Sequence, residues 1–380
     1  MSRVPVSASV LGWAVRRSGR RRDELEHAFP HLRQWERGEG QPTLKNVEDL
    51  ARQTRTPLGF FFLHQPPTER LPVPYYRTQD GSAPNGPSPD LLDTVHAMER
   101  RQAWMRQFLI EEGASPLPFV DSARITHATK AVAARIRAAL GLTAGWAGCA
   151  RTWSDAVRTL LEQTDKLGVL TVVNGVVGNN THRRLDPEEF RGFVLVDTYA
   201  PLIFVNGADA KAAQMFTIAH ELAHVFFGAS AAFNLRAMEP ANNGTELACN
   251  QVAAEFLVPE DALQEMWPTL RGVDEPWGAV ARKFKVSSLV AARRALDVGL
   301  IDKAAFWSFY TAHQARSRPE PAGGGDFYAT QTYRIGPRFG AAVVQAAREG
   351  RLLYSEAYAL TGLAGDTFER YATTLSRKRT

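Results

Sequence analysis

The chain has 380 residues, 44% of them hydrophobic and 22% charged, with a formal net charge of +5. That apolar content builds cores rather than a disordered chain, and at roughly 100–200 residues per domain it implies two or three domains. Two cysteines, Cys149 and Cys249, exclude a disulfide framework and a cysteine-based zinc knuckle. No apolar run approaches the roughly 18 residues of a membrane span, so no membrane partner and a cytoplasmic location are expected.

Residues 8–63 read as five short helices. ASVLGWAVRRSG puts Val10, Leu11, Trp13, Ala14 and Val15 on an apolar side and Gly19 at a stop. RRDELEHAF and HLRQWERG follow. TLKNVEDLARQ then has Thr43 as N-cap and Leu44, Val47, Leu50 and Ala51 at helical spacing, and GFFFL closes the block. Arg16, Arg17, Arg20, Arg21 and Arg22 cluster near its start. They are candidates for DNA phosphate contacts, and equally for a solvated face.

The run QWERGEGQPTLKNVEDLARQTRTPLGFFFL resembles the second half of an XRE (Cro/repressor-like) helix-turn-helix domain, through Trp35, Glu36, Arg37, Gly38, Pro42 and Thr43. The resemblance implies an all-α helix-turn-helix domain over residues 1–68. The first half departs from the pattern. Only Pro30 and His31 separate Phe29 from Leu32, about one helical turn short, at the part of the recognition helix that meets base edges. DNA contact and a docking or dimerising role both stay open.

Residues 69–90 read as a Pro/Gly-rich linker. Helices resume at DLLDTVHAMERRQAWMRQFLIEEG, ATKAVAARIRAALG and 146–167. The period then changes: VLTVVNGVV, FRGFVLVD and APLIFVNG are short, β-branched and bounded by Asn and Gly, as in a small sheet. FTIAHELAHVFF and ELACNQVAAEFLV are apolar helices, followed by helices near PEDALQEMW and SSLVAARRALDVG. Gly323, Gly324 and Gly325 mark a second linker, and SEAYALTG and DTFERYATTL read as short helices of a helical C-terminal region over 321–380. With residues 91–320 as a further domain, the chain is of the α+β class.

His220, Glu221 and His224 form H-E-x-x-H inside an otherwise apolar helix. Positions i and i+4 project from one face, so two imidazoles can hold one divalent ion. Zinc suits nitrogen and carboxylate donors and leaves one position open in catalytic sites. Glu221 then sits beside that position, where it can take a proton from water and pass it to a leaving amine. Burying two imidazoles and a carboxylate without partners costs several kcal/mol, which argues against core packing alone. A third ligand is needed. Glu246 and Glu255 lie nine residues apart and, at about 100° per residue, face opposite sides of the next helix. Glu246 has Asn250 at i+4, which can hydrogen-bond a ligating histidine from the outer shell. Glu255 lacks such a partner and suits a salt bridge, so Glu246 is the expected ligand.

FTIAHELAHVFFG followed by ELACNQVAAEFLVP resembles the ImmA/IrrE family of metallopeptidases. The resemblance implies a gluzincin-like domain with a small sheet and an HExxH helix. It implies Zn2+ held by His220, His224 and Glu246, Glu221 as general acid/base, and E-x-x-C-N met by Glu246, Cys249 and Asn250. It also implies a proteolytic switch that cleaves a helix-turn-helix repressor and releases silenced genes. The strand ahead of the metal helix is expected to pair with the substrate. The alternative is a DNA-binding regulator, or an antitoxin-like protein that binds a toxin, with the zinc site structural or rarely catalytic. Tyr199 is a candidate transition-state donor, against a plain surface role.

Overall fold

The computed structural model describes residues 3–69, 87–233, 244–270, 273, 275–315 and 327–377. Most of the 69–90 linker, the loop 234–243, Gly323–Gly325 and the last residues of the basic tail lie outside the described residues. The chain forms two compact units, one from the described residues up to His96 and one from Ala97 onward.

The first unit is helical: α1 (Ala8–Arg17), α2 (Arg22–Ala28), α3 (Leu32–Glu36), α4 (Leu44–Thr54) and a 3-10 turn, Leu58–Phe62. Its core gathers Val10, Leu11, Leu25, Leu32, Val47, Leu50 and Phe61. Thr43 caps α4 by accepting from the Asn46 N–H at 3.2 Å. With Phe29, Pro30 and His31 as its whole lead-in, α3 has only five residues. The arginine cluster is largely spent inside this unit. Arg17 is 7% exposed; its guanidinium donates to Glu69 at 2.6 Å and to the Arg55 carbonyl at 2.9 Å. This corrects the expectation for Arg17, because a buried, ion-paired guanidinium cannot reach a phosphate. Arg20 donates to Gln53, Arg21 to Asp23, and Arg22 to Glu26 and Glu36. Arg16 is exposed.

The second unit begins within α5 (Pro89–Glu111) and continues through α6 (Thr129–Ala139) and α7 (Trp153–Leu167). Thr152 and Asp155 form a capping box at the start of α7, and Gly168, at φ +109°, ends it. The strands are β1 (Leu170–Asn174), β2 (Val176–Val177), β3 (Asn180–Arg184), β4 (Gly192–Leu195) and β5 (Leu202–Asn206). Then come α8 (Lys211–Phe227), β6 (Ala231–Phe233), α9 (Gly244–Leu257), α10 (Glu260–Met266), α11 (Pro276–Phe284), α12 (Ser288–Asp297) and α13 (Lys303–Gln314). The last helices are α14 (Phe327–Ile335), α15 (Pro337–Arg348), α16 (Tyr354–Thr361) and α17 (Asp366–Arg377).

The main sheet has the order β1-β5-β4-β6, with β1 and β5 parallel and the other pairs antiparallel. Strand alternation sorts its side chains. Val194, Ile203 and Val205 join the core beneath α8, while Phe193 and Phe204 stack at 4.9 Å. VLTVVNGVV is not one strand. It breaks at Gly175, where a Cβ would stand 2.8 Å from the Ala208 nitrogen, a backbone approach only glycine allows. The strand before the metal helix, β5, is paired on both edges. It therefore has no free hydrogen-bonding edge for a substrate, which corrects that expectation.

The C-terminal helices close on one another through a glycine. A Cβ on Gly340 of α15 would lie 2.0 Å from the Tyr371 hydroxyl of α17, which has no hydrogen-bond partner among the described residues. Gly340→Ala is expected to destabilise the α15–α17 contact by about 1–3 kcal/mol, as overpacking does. Amide exchange along α17 should speed up, and adding Tyr371→Phe should restore much of the protection. Unchanged exchange in Gly340→Ala would sink this account of the contact.

Candidate metal centre

Helix α8 is buried almost all round. His220, Glu221 and His224 are each 0% exposed, amid Ile218, Leu222, Ala223 and Val225. Its C-terminal carbonyls find partners in an upstream segment: Asp121 N–H donates to Val225 O at 3.1 Å and Ala123 N–H to Phe226 O at 2.9 Å. Gly228, at φ +71°, ends the helix. Helix α9 packs along α8, and α6 packs along α9.

This packing brings Glu246 to the two histidines. The His220 and His224 Nε2 atoms are 3.0 Å apart, and Glu246 carboxylate oxygens lie 3.2 Å from the first and 3.0 Å from the second. A tetrahedral ion with bonds of about 2.0–2.1 Å sets neighbouring ligands roughly 3.3–3.4 Å apart; the two imidazole nitrogens are near that spacing, and Glu246 presents one carboxylate oxygen to each of them, Oε2 to His220 and Oε1 to His224. Their lone pairs converge, and a shared proton satisfies one edge of the triangle but not all three. The donor set therefore fits a divalent ion. Among the described residues these three are the one group of its kind.

The electrostatics prepare the same donors. Burial lowers His220 to about 4, against the opposing pull of Glu246, so the ring is neutral and ready to ligate. Burial tends to raise Glu246, but hydrogen bonds from His220 and His224 outweigh it and hold the carboxylate at about 2, ionised. Glu221 is the opposite case. Burial first, then the charge of Glu246, push it well above the usual carboxylate range. Neither of its oxygens has a hydrogen-bond partner among the described residues. Asn250 is within interaction range of His220, where its amide favours the protonated ring.

Other candidates fall elsewhere. Glu255 faces away from the histidines and pairs with Arg294, accepting also from the Glu260 N–H at 3.2 Å. Tyr199 is half-buried with its ring 5.6 Å from the Arg106 guanidinium, and Arg106 pairs with Asp197. Cys249 is buried, and burial raises its thiol, with the charges of Glu246 and Glu221 adding to the shift. One residue of the site went unread in the sequence. A Cβ on Gly192 would stand 2.5 Å from Thr217 Cγ2 and 3.6 Å from Glu221 Oε1, so β4 meets α8 at the level of Glu221. Its signal was a glycine inside the strand-like FRGFVLVD.

The domain is mixed α+β, and its His-His-Glu group could hold a metal ion. Residues 164–296, a segment that holds every residue of the site, match the IrrE N-terminal-like domain of the Peptidase_M78 family. Residues 335–374 match a domain of unknown function, DUF8813. Among curated proteins and among solved structures, none matches. No described helix is long and apolar enough to cross a membrane.

Proposed function

We propose that the chain is a zinc-dependent metalloendopeptidase that regulates gene expression by cutting a regulatory protein of the helix-turn-helix repressor type. The observation that carries this reading is Glu221: fully buried, unpartnered, and next to a converging His220, His224 and Glu246. A structural metal site needs no such carboxylate. His220, His224 and Glu246 would hold Zn2+, with Asn250 supporting His220 from the outer shell. The bound ion supplies a Lewis acid for the scissile carbonyl. Glu221 then takes the proton of the attacking water on a carboxylate oxygen and delivers it to the leaving amine. The apolar walls of α8 exclude bulk water, which strengthens each charge interaction.

The supporting experiment incubates zinc-loaded protein with a co-encoded repressor-type protein, and separately with a co-encoded toxin. Expected are new termini in the repressor, read by mass spectrometry, lost with a chelator and restored by zinc. Intact partners with zinc bound, together with tight binding of toxin or of a DNA duplex, would support the alternative of an antitoxin-like or DNA-binding regulator instead. The internal pairing of Arg17, Arg21 and Arg22 lowers the weight of DNA contact.

A further inference from the structure

The sheet ends in β1 on one side and β6 on the other, and the strand that approaches Glu221 is β4, next to β6. The β1 edge belongs to a strand packed by α7, α14 and α15. At the other end, β4 approaches α8 at Thr217 and Glu221 through Gly192. An extended peptide that offers its backbone to Glu221 has to lie along β4, about 4.8 Å away, the spacing of neighbouring strands. That place is taken. Strand β6 lies on β4 in the pairs Gly192↔Phe233, Phe193↔Ala232 and Val194↔Ala231. A peptide added outside β6 is roughly twice as far from β4, beyond the reach of a general base acting directly or through one water.

We propose that β6 is an internal stand-in for the substrate strand, and that the peptidase is latent until an extended segment of the partner replaces β6 on β4. The proposal rests on the peptidase reading above. The geometry suits an exchange. Three residues make a minimal strand. Each backbone hydrogen bond that β6 gives up is remade by the incoming peptide, so the contest is decided by pairing beyond three residues and by side chains. The lead-in to β6 is a turn at Gly228, held where Ser230 Oγ accepts from Val196 N–H at 2.9 Å. A partner that supplies a longer β-forming segment thus both opens the site and fills it, and short or folded segments are refused. Selectivity would then lie in segment length and extension.

Metal-site ligands of two sizes test this without a known substrate. The chain is loaded with cobalt(II), and binding of acetohydroxamate and of an N-acetyl tetrapeptide hydroxamate is followed by the visible absorption of the ion. Acetohydroxamate needs only the metal; the peptide also needs the β4 edge. Ala231→Pro and Ala232→Pro form a matched pair, because neighbouring residues of a strand turn their N–H groups to opposite sides. One proline breaks the ladder to β4 and the other does not. Expected in the wild type is a preference for the peptide of less than about 3-fold. The ladder-breaking proline should raise it at least 10-fold with acetohydroxamate affinity unchanged, and the other should behave as wild type. As a check on the wild type alone, saturating peptide hydroxamate should deprotect the β6 amides while β4 stays protected. A wild-type preference of 10-fold or more, with β6 still protected, overturns the proposal. Failure of the wild type to bind cobalt or acetohydroxamate overturns the peptidase reading itself, and this proposal with it.

Discussion

His224→Ala is expected to abolish stoichiometric zinc binding, whereas Asn250→Ala weakens it by roughly 10–100-fold, the usual loss for a group that only orients a ligand. The difference follows from geometry. His224 Nε2 lies 3.0 Å from His220 Nε2 and 3.0 Å from a Glu246 carboxylate oxygen, and no other described Cys, His, Asp or Glu side chain joins the group to replace it. Asn250 is not among the converging donors and bears on the ring of His220. Metal analysis after dialysis reads the first effect, and competition with a coloured chelator reads the second. Stability gives an independent check. A site filled at a thousandfold excess over Kd stabilises the folded state by about 4 kcal/mol. Zinc should therefore raise the melting temperature of the wild type and leave that of His224→Ala unmoved. Equal shifts in both proteins would remove His224 from the site.

Glu221→Gln separates chemistry from binding. Zinc stoichiometry should stay at wild type, because the side chain is not among the three converging donors. Cleavage of a protein substrate should fall by about 10²–10⁴-fold, the range lost with a general acid/base. The same substitution should change how the metal-free protein responds to pH. Burial raises the Glu221 carboxyl well above its ordinary 4.5, so the folded chain holds the proton more tightly than the unfolded one. Wild type therefore loses stability as pH rises from 4.5 toward the raised value, and the full cost is present above it. The glutamine carries no such proton. Its melting temperature should gain on the wild type with increasing pH and converge with it at acid pH. A constant difference across pH would mean that Glu221 is solvated, contrary to its 0% exposure.

Much of this was legible in one dimension. The apolar surround of His220, Glu221 and His224 marked them as costly to bury, and α8 buries all three. The i,i+4 link from Glu246 to Asn250 chose the correct face of α9, because helical periodicity is local. Glu255, on the other face, meets Arg294. Other features were not legible for equally local reasons. Helices α11, α13, α14 and α15 went unread, although α11 and α15 each open on a proline and carry an apolar face at helical spacing; what the sequence could not show is the partner of each face, such as Tyr371 against Gly340. Part of the pairing of the arginine cluster is distant in sequence: Arg17 meets Glu69 and Arg22 meets Glu36, whereas Asp23 and Glu26 are local partners.

The sequence by itself singled out His220, Glu221, His224 and Glu246 as the candidate site. Residue type and a spacing of three or four positions on a helix fix that, whatever surrounds them. Only the tertiary structure decided that Glu246 meets both histidines, that Glu221 has no hydrogen-bond partner among the described residues, and that β6 lies on β4. Strand order is set by pairing between residues dozens of positions apart. A backbone edge has no side-chain signature, so nothing in the letters AAF announces a strand that occupies one.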